Sequence, residues 1–133
     1  MQRSVVIIDD SKILVRMLTD FFIEKMGFSV AATGVNGVQA VNLYRQYKPD
    51  LMTLDLTMPI RDGKSALSDI LEEFPEARIL IVSSITGSSV VECVELGACG
   101  YVEKPLRLDD DVFVQQFVTT VDDLFPEQKH KNG

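Results

Sequence analysis

Six side chains of this 133-residue chain could do chemistry together, and each closely follows an apolar run. Asp9 and Asp10 follow Val5-Val6-Ile7-Ile8, Asp55 follows Leu51-Met52-Thr53-Leu54, Ser83 and Ser84 follow Ile79-Leu80-Ile81-Val82, and Lys104 ends Tyr101-Val102-Glu103. In a parallel sheet all carboxyl ends share one edge, the edge outside which ligands sit in open α/β sheets. That edge would gather three carboxylates, two hydroxyls and one ammonium. Crowded carboxylates resist ionisation. A hard divalent cation relieves the repulsion, and Mg2+ takes oxygen ligands from one or two carboxylates plus phosphate oxygens. A carboxylate can also act as nucleophile toward a phosphoryl group, while a cation, a lysine and a hydroxyl neutralise the transferring oxygens. The inventory fits phosphoryl transfer to Asp55. It fits acyl transfer badly, because no base stands beside either serine. Each feature alone is weak, since paired aspartates after a strand are commonly a helix cap; their shared rim gives them weight.

The intervening segments must bring these ends together, and they alternate in period. Strand patterns cover 4–8, 28–33, 51–54, 78–82 and 100–103, apolar runs bounded by turn residues. After the first, Ser11 can cap a helix carrying Leu14, Met17, Leu18, Phe21 and Phe22 and stopping at Gly27. Asn36 with Gln39 resembles a capping box before a helix presenting Ala40, Val41 and Tyr44. A turn at Pro59 to Gly63 leads to a third helix over 64–73 burying Leu67, Ile70 and Leu71. Ser89 with Glu92 is a second capping-box pattern, opening a helix with Val90, Val91 and Val94 on one side. The last helix spans about 109–124, with Asp109, Asp110 and Asp111 in its first turn, where the helix dipole favours negative charge. Its apolar arc, Val112 to Val121, is wide enough to serve a partner-facing surface beside the core. Five βα units predict an α/β, doubly wound, five-stranded parallel sheet with five helices. The domain is expected over 1–125, with 126–133 a polar, frayed tail.

Composition narrows the classes. The chain is 46% hydrophobic and 25% charged, ordinary for one globular domain. A formal charge of −7 argues against a nucleic-acid surface. No apolar run approaches the ~20 residues of a membrane span, and the first apolar run is too short for a signal peptide, so a cytoplasmic protein is expected. Cys93 and Cys99 fit no zinc or redox spacing and read as small, partly buried thiols. The single histidine, His130, lies in the tail and supports neither a zinc site nor a triad.

In this order and spacing the motifs resemble the receiver domain of two-component response regulators, in outline the stand-alone chemotaxis type. The resemblance spans about residues 4–125. It rests on Val5-Val6-Ile7-Ile8-Asp9-Asp10-Ser11, Leu54-Asp55-Leu56-Thr57-Met58-Pro59, Asp62-Gly63, Ile81-Val82-Ser83-Ser84 and Gly97-Ala98-Cys99-Gly100-Tyr101-Val102-Glu103-Lys104-Pro105. It implies a flavodoxin-like receiver fold with Asp55 as phospho-acceptor. Mg2+ would be held by Asp10, Asp55 and the Thr57 backbone carbonyl, with Asp9 acting through water. Lys104 would pair with the phosphoryl group, and Lys104–Pro105 would be a cis peptide. Ser83 would be the hydroxyl switch residue and Tyr101 the aromatic that changes rotamer. The 83–97 segment is one residue shorter than is usual, which keeps Ser84 as the alternative; Ser83 is favoured because Ser84 then falls where the family has a small residue. Thr57 occupies a variable position that influences phosphoryl lifetime.

The resemblance further implies a histidine kinase as phosphodonor and output through the fourth helix, fifth strand and fifth helix. It implies no turnover of an external metabolite, and the charge and apolar runs add the expectation of no nucleic-acid and no membrane partner. A flagellar-motor switch protein is the best-known target of such stand-alone members. Two alternatives share the chemistry: a phosphorelay intermediate passing the group to a histidine phosphotransfer protein, and a receiver fragment of a longer regulator. A haloacid-dehalogenase-type phosphatase would need a second aspartate two residues after the nucleophile, where this chain has Thr57. A nucleotide- or flavin-binding module would need a glycine-rich loop after the first strand, where it has Asp9-Asp10-Ser11-Lys12.

Overall fold

The computed structural model describes residues 2–58 and 62–126. Strands and helices alternate as β1 (Ser4–Ile8), α1 (Lys12–Glu24), β2 (Ser29–Gly34), α2 (Gly37–Tyr47), β3 (Leu51–Leu54), α3 (Gly63–Glu73), β4 (Ile79–Ser83), α4 (Ser88–Leu96), β5 (Gly100–Glu103) and α5 (Asp111–Asp123). All strand pairs are parallel, in the order β2-β1-β3-β4-β5. This is the doubly wound, five-stranded parallel α/β sheet expected from the alternation, in the flavodoxin-like form that the resemblance implies. The strand order reverses at β1, which places the topological switch point between β1 and β3.

The sheet is sandwiched, and its strand sequences show why. Every residue of β3 and β4 is buried, as continuous apolar runs require when helices cover both faces. Val5, Ile7, Leu51, Leu80, Val82 and Val102 share one core with Leu18, Phe21 and Phe22 of α1 and Phe117 and Val121 of α5. Val6, Ile8, Met52, Leu54, Ile79 and Ile81 share the other with Tyr44 of α2, Leu67 and Ile70 of α3 and Cys93 of α4. In the first layer Phe21 stacks on Phe117 at 4.2 Å between centroids. At the edge opposite the aspartates, the guanidinium groups of Arg3 and Arg78 lie 4.2 and 4.6 Å from the Phe125 centroid, and Arg78 Nε donates to the Leu124 carbonyl at 2.9 Å. The chain after α5 is thereby tied to the strand starts.

Local signals set most helix starts. Ser11 Oγ accepts from Leu14 N–H, Asn36 Oδ1 from Gln39 N–H and Asp62 Oδ1 from Ser65 N–H. Gln39 Oε1 closes its box one residue early, accepting from Val35 N–H at 2.7 Å. Gly27 takes φ +69 after α1, a conformation that favours glycine.

Two expectations need correction, beside smaller shifts of element bounds and burial. The Ser89–Glu92 box does not form: α4 starts at Ser88 behind Gly87, with no side-chain cap, and Glu92 instead pairs with Lys64 of α3. Val91 and Val94 are 56% and 51% exposed, and Cys93 is the buried residue of α4. The acidic triplet does not share a first turn. Asp110 is the N-cap, accepting from Val112 and Phe113 N–H, Asp111 opens the helix and Asp109 precedes it. Smaller shifts start β2 at Ser29 and end β4 at Ser83, and Leu71 is only partly buried. Pro59 to Arg61 of the expected turn, and residues 127–133 of the expected tail with His130, lie outside the described residues.

Cys93 and Cys99 belong to opposite layers and are free. Burial raises both thiols above their ordinary range, Cys99 to about 11, so neither is an activated nucleophile. Among the described residues no helix is long and apolar enough to cross a membrane.

Candidate functional site

The parallel register delivers the strand ends to one place. Ile8 pairs with Leu54 and Ser83 with Glu103, so Asp9, Asp55, Ser83 and Lys104 emerge along one edge. Asp9 and Asp55 are buried, at 1% and 4% exposure, whereas Asp10 is exposed. Carboxylate oxygens of Asp9, Asp10 and Asp55 all lie within 4.8 Å of one another.

Lys104 closes the group from the far side. Its Nζ lies 2.8 Å from Asp9 Oδ2 and 3.7 Å from Asp55 Oδ1. The Lys104–Pro105 peptide is cis. Asp9 Oδ1 accepts from Ser11 N–H at 2.9 Å and Asp55 Oδ1 from Thr57 N–H at 3.4 Å. The Asp55 carboxyl is raised above its ordinary value, first by burial. The Lys104 ammonium pulls it down, Asp9 pushes it up, and hydrogen bonds from Thr57 N–H and the Ser83 side chain lower it.

The residues present fit a hard divalent cation. Three carboxylates supply oxygen donors. Asp9 Oδ2 is fully buried and forms an ion pair with Lys104 at 2.8 Å without hydrogen-bond alignment, so it keeps lone-pair capacity for a further partner. One ammonium does not balance three clustered carboxylates, and the trio offers a cation oxygen donors of the kind that Mg2+ uses.

Ser83 is fully buried beside Asp55, and its Oγ accepts from Ile85 N–H at 3.3 Å. Ser84 is exposed. Tyr101 stands apart from the carboxylates. Its hydroxyl donates to the Ile85 carbonyl at 2.8 Å and lies 3.3 Å from the Ser83 carbonyl, joining β5 to the segment leading from the site into α4.

Two residues contribute in ways that the motifs do not show, although Gly63 belongs to one of them. Gly63, the first residue of α3, lies so close that a Cβ there would stand 2.0 Å from the Asp55 carbonyl oxygen and 2.9 Å from Leu56 Cα. Only the absent side chain lets α3 seat against the strand end carrying Asp55. Gly63→Ala is expected to lower stability by about 1–3 kcal/mol and to displace Asp55. An unchanged urea midpoint would contradict that account. The second contributor is Thr53, one pleat below Asp55 and 1% exposed.

With the fold and site in view, the chain can be placed among known proteins. It belongs to the response regulator receiver domain family, whose sequence pattern matches residues 5–114. It is similar to the chemotaxis protein CheY of Bacillus subtilis (strain 168), 37% identical over 110 residues that make up 82% of this chain and 91% of that one. CheY of Halobacterium salinarum is 38% identical over 108 residues, 80% of this chain and 88% of that protein. Among solved structures, the CheX–CheY–BeF3–Mg2+ complex of Borrelia burgdorferi superposes with a TM-score of 0.83 at 32% identity, covering 92% of this chain and 89% of the matched chain. The chain is therefore a signalling domain of the CheY-like type.

Proposed function

We propose that Asp55 accepts a phosphoryl group from a histidine kinase in a Mg2+-dependent reaction, and that the phosphorylated domain signals in the cytoplasm through protein contact in chemotaxis, with the flagellar motor switch as target. One observation carries the reading: a buried aspartate at a strand end, paired with Lys104 at 3.7 Å and beside two further carboxylates. Mg2+ would be held by Asp10, Asp55 and the Thr57 carbonyl, with Asp9 through water, and supplies positive charge against the carboxylates and the phosphoryl oxygens. Asp55 attacks as the carboxylate. The new O–P bond forms as the P–N bond of the phosphohistidine breaks, its electron pair leaving on the imidazole nitrogen. The Lys104 ammonium turns to one phosphoryl oxygen and the Ser83 hydroxyl donates to another. The domain thus catalyses only its own phosphorylation and dephosphorylation.

The output follows from what Ser83 is joined to. Movement of Ser83 toward a phosphoryl oxygen shifts the segment whose Ile85 carbonyl holds the Tyr101 hydroxyl. Tyr101 then changes rotamer, and the surface of α4, β5 and α5 changes with it. That surface exposes Val91 and Val94, and a coupling of about 1–3 kcal/mol suffices for a switch. The Borrelia burgdorferi CheY, solved with CheX, BeF3 and Mg2+, supports a protein partner and a cation for this chain too. The test is phosphotransfer from a radiolabelled, chemotaxis-type histidine kinase. Label is expected to move to the wild type and not to Asp55→Asn; label that stays on the kinase, or that reaches both proteins equally, overturns the reading.

A further inference from the structure

Two buried polar atoms among the described residues lack a hydrogen-bond partner: Asp9 Oδ2 and Thr53 Oγ1. They are neighbours in the sheet. Thr53 of β3 pairs in register with Ile7 of β1, and Asp9 is the next residue of that strand's chain on the same face, two positions on. Ile7 and Leu51 both belong to the α1–α5 core layer, so by alternation Thr53, Asp9 and Asp55 point to that layer. The two atoms are also chemically complementary. A threonine hydroxyl can donate, whereas a carboxylate oxygen can only accept. Thr53 and Asp9 are thus diagonal neighbours, a two-residue step of roughly 6.6 Å along the strand and about 4.8 Å across it, too far for two short side chains to bond directly. Leaning toward each other along the strand, they come within the roughly 5.5 Å that one water spans with two ordinary hydrogen bonds. A lone hydroxyl under a charged site costs free energy unless it is used.

We propose that Thr53 is a positioning residue for Asp9: its hydroxyl, through one buried water, donates to Asp9 Oδ2 and holds that carboxylate when Lys104 leaves it. This part of the inference rests on the proposed function: Lys104 lies 2.8 Å from Asp9 and, in that reading, must turn to a phosphoryl oxygen. Ser11 N–H holds Oδ1 throughout, but without a further donor Oδ2 would be left with no partner as Lys104 departs. Thr53 supplies that donor from below, out of reach of solvent.

The test is a double-mutant cycle in metal-free protein with Thr53→Val and Asp9→Ala, read by urea unfolding. A coupling of about five-fold in the folding equilibrium is expected, roughly 1 kcal/mol. Additive effects overturn the proposal. Calorimetric Mg2+ binding gives an independent readout. Thr53→Val is expected to bind several-fold more weakly, and Thr53→Ser, which keeps the hydroxyl, like wild type. Equal affinity in wild type and Thr53→Val overturns the proposal. Wild type that binds no Mg2+ while the cycle still shows coupling overturns the cation reading and leaves the Thr53–Asp9 link standing. If Asp9→Ala does not fold, a high-resolution crystal structure of the wild type decides. Water density between Thr53 Oγ1 and Asp9 Oδ2 supports the bridge, and its absence rejects it.

Discussion

Replacing Lys104 by methionine is expected to destabilise the metal-free protein by about 3 kcal/mol or more, and Mg2+ is expected to recover most of the loss. The ammonium stands 2.8 Å from a carboxylate that is 1% exposed and 3.7 Å from a second that is 4% exposed. Methionine keeps most of the stem's volume, so the change removes charge rather than packing. Two buried aspartates are then left with Asp10 for company, and an uncompensated buried charge is among the costliest single defects. A divalent cation restores positive charge at the same edge and stabilises by mass action. Urea unfolding in EDTA and in saturating Mg2+ checks both halves. A loss under about 1 kcal/mol in EDTA would mean that Lys104 is not what balances Asp9 and Asp55.

Asp55→Asn is expected to act in the opposite direction on stability while abolishing phosphorylation. The Asp55 carboxyl is raised by burial above its ordinary value. The folded state therefore binds this proton more tightly than the unfolded chain does. That contribution to stability is fully present below the unfolded carboxylate range, near 4, and is lost as pH rises through the folded value. Once pH exceeds the folded value, the wild type carries the ionised, partly desolvated group and the asparagine variant does not. In EDTA at pH 7 the variant should be more stable, on the order of 1 kcal/mol, or a few degrees in Tm. The advantage should shrink as pH falls toward 4. Mg2+ should reverse the ranking, since the variant lacks one ligand. Thermal melts at the two pH values, with and without metal, test this. A variant less stable than wild type at pH 7 in EDTA contradicts it.

How far these outcomes were visible in the sequence depends on how local the cause is. The runs Leu51 to Leu54 and Ile79 to Val82 could be assigned as buried strands because burial on both faces needs no partner to be named. Once they were parallel, the shared edge of Asp9, Asp55, Ser83 and Lys104 followed from geometry alone. Ser11 and Asn36 were recognisable as caps because a cap reaches only three residues ahead. The Ser89–Glu92 pattern misled for the converse reason. Glu92 has a better partner in Lys64, 28 residues away on α3, which no window of local sequence reports. The acidic triplet showed that one cap was available but not which aspartate would take it.

The site itself was legible as an inventory and less so as a set of pairings. The resemblance assigned Lys104 to the phosphoryl group, yet the carboxylate nearest to it in the structure is Asp9. That choice is set by side-chain reach across β3 and β4, which sequence spacing does not encode. Gly63 read as half of a turn, and its contact with the Asp55 carbonyl appears only when α3 is packed. Thr53 read as one more β-branched strand residue. Its unpartnered hydroxyl is a property of what surrounds it, and those neighbours come from distant strands.

The measurement that bears most directly on the central claim is intact mass after incubation with acetyl phosphate and Mg2+, followed by peptide mapping. One added phosphoryl group is predicted, located on the peptide containing Asp55, absent without Mg2+ and absent in Asp55→Asn. An adduct of equal yield in Asp55→Asn, or one that forms as readily in EDTA, would contradict the assignment of Asp55 as the phospho-acceptor of a cation-dependent site.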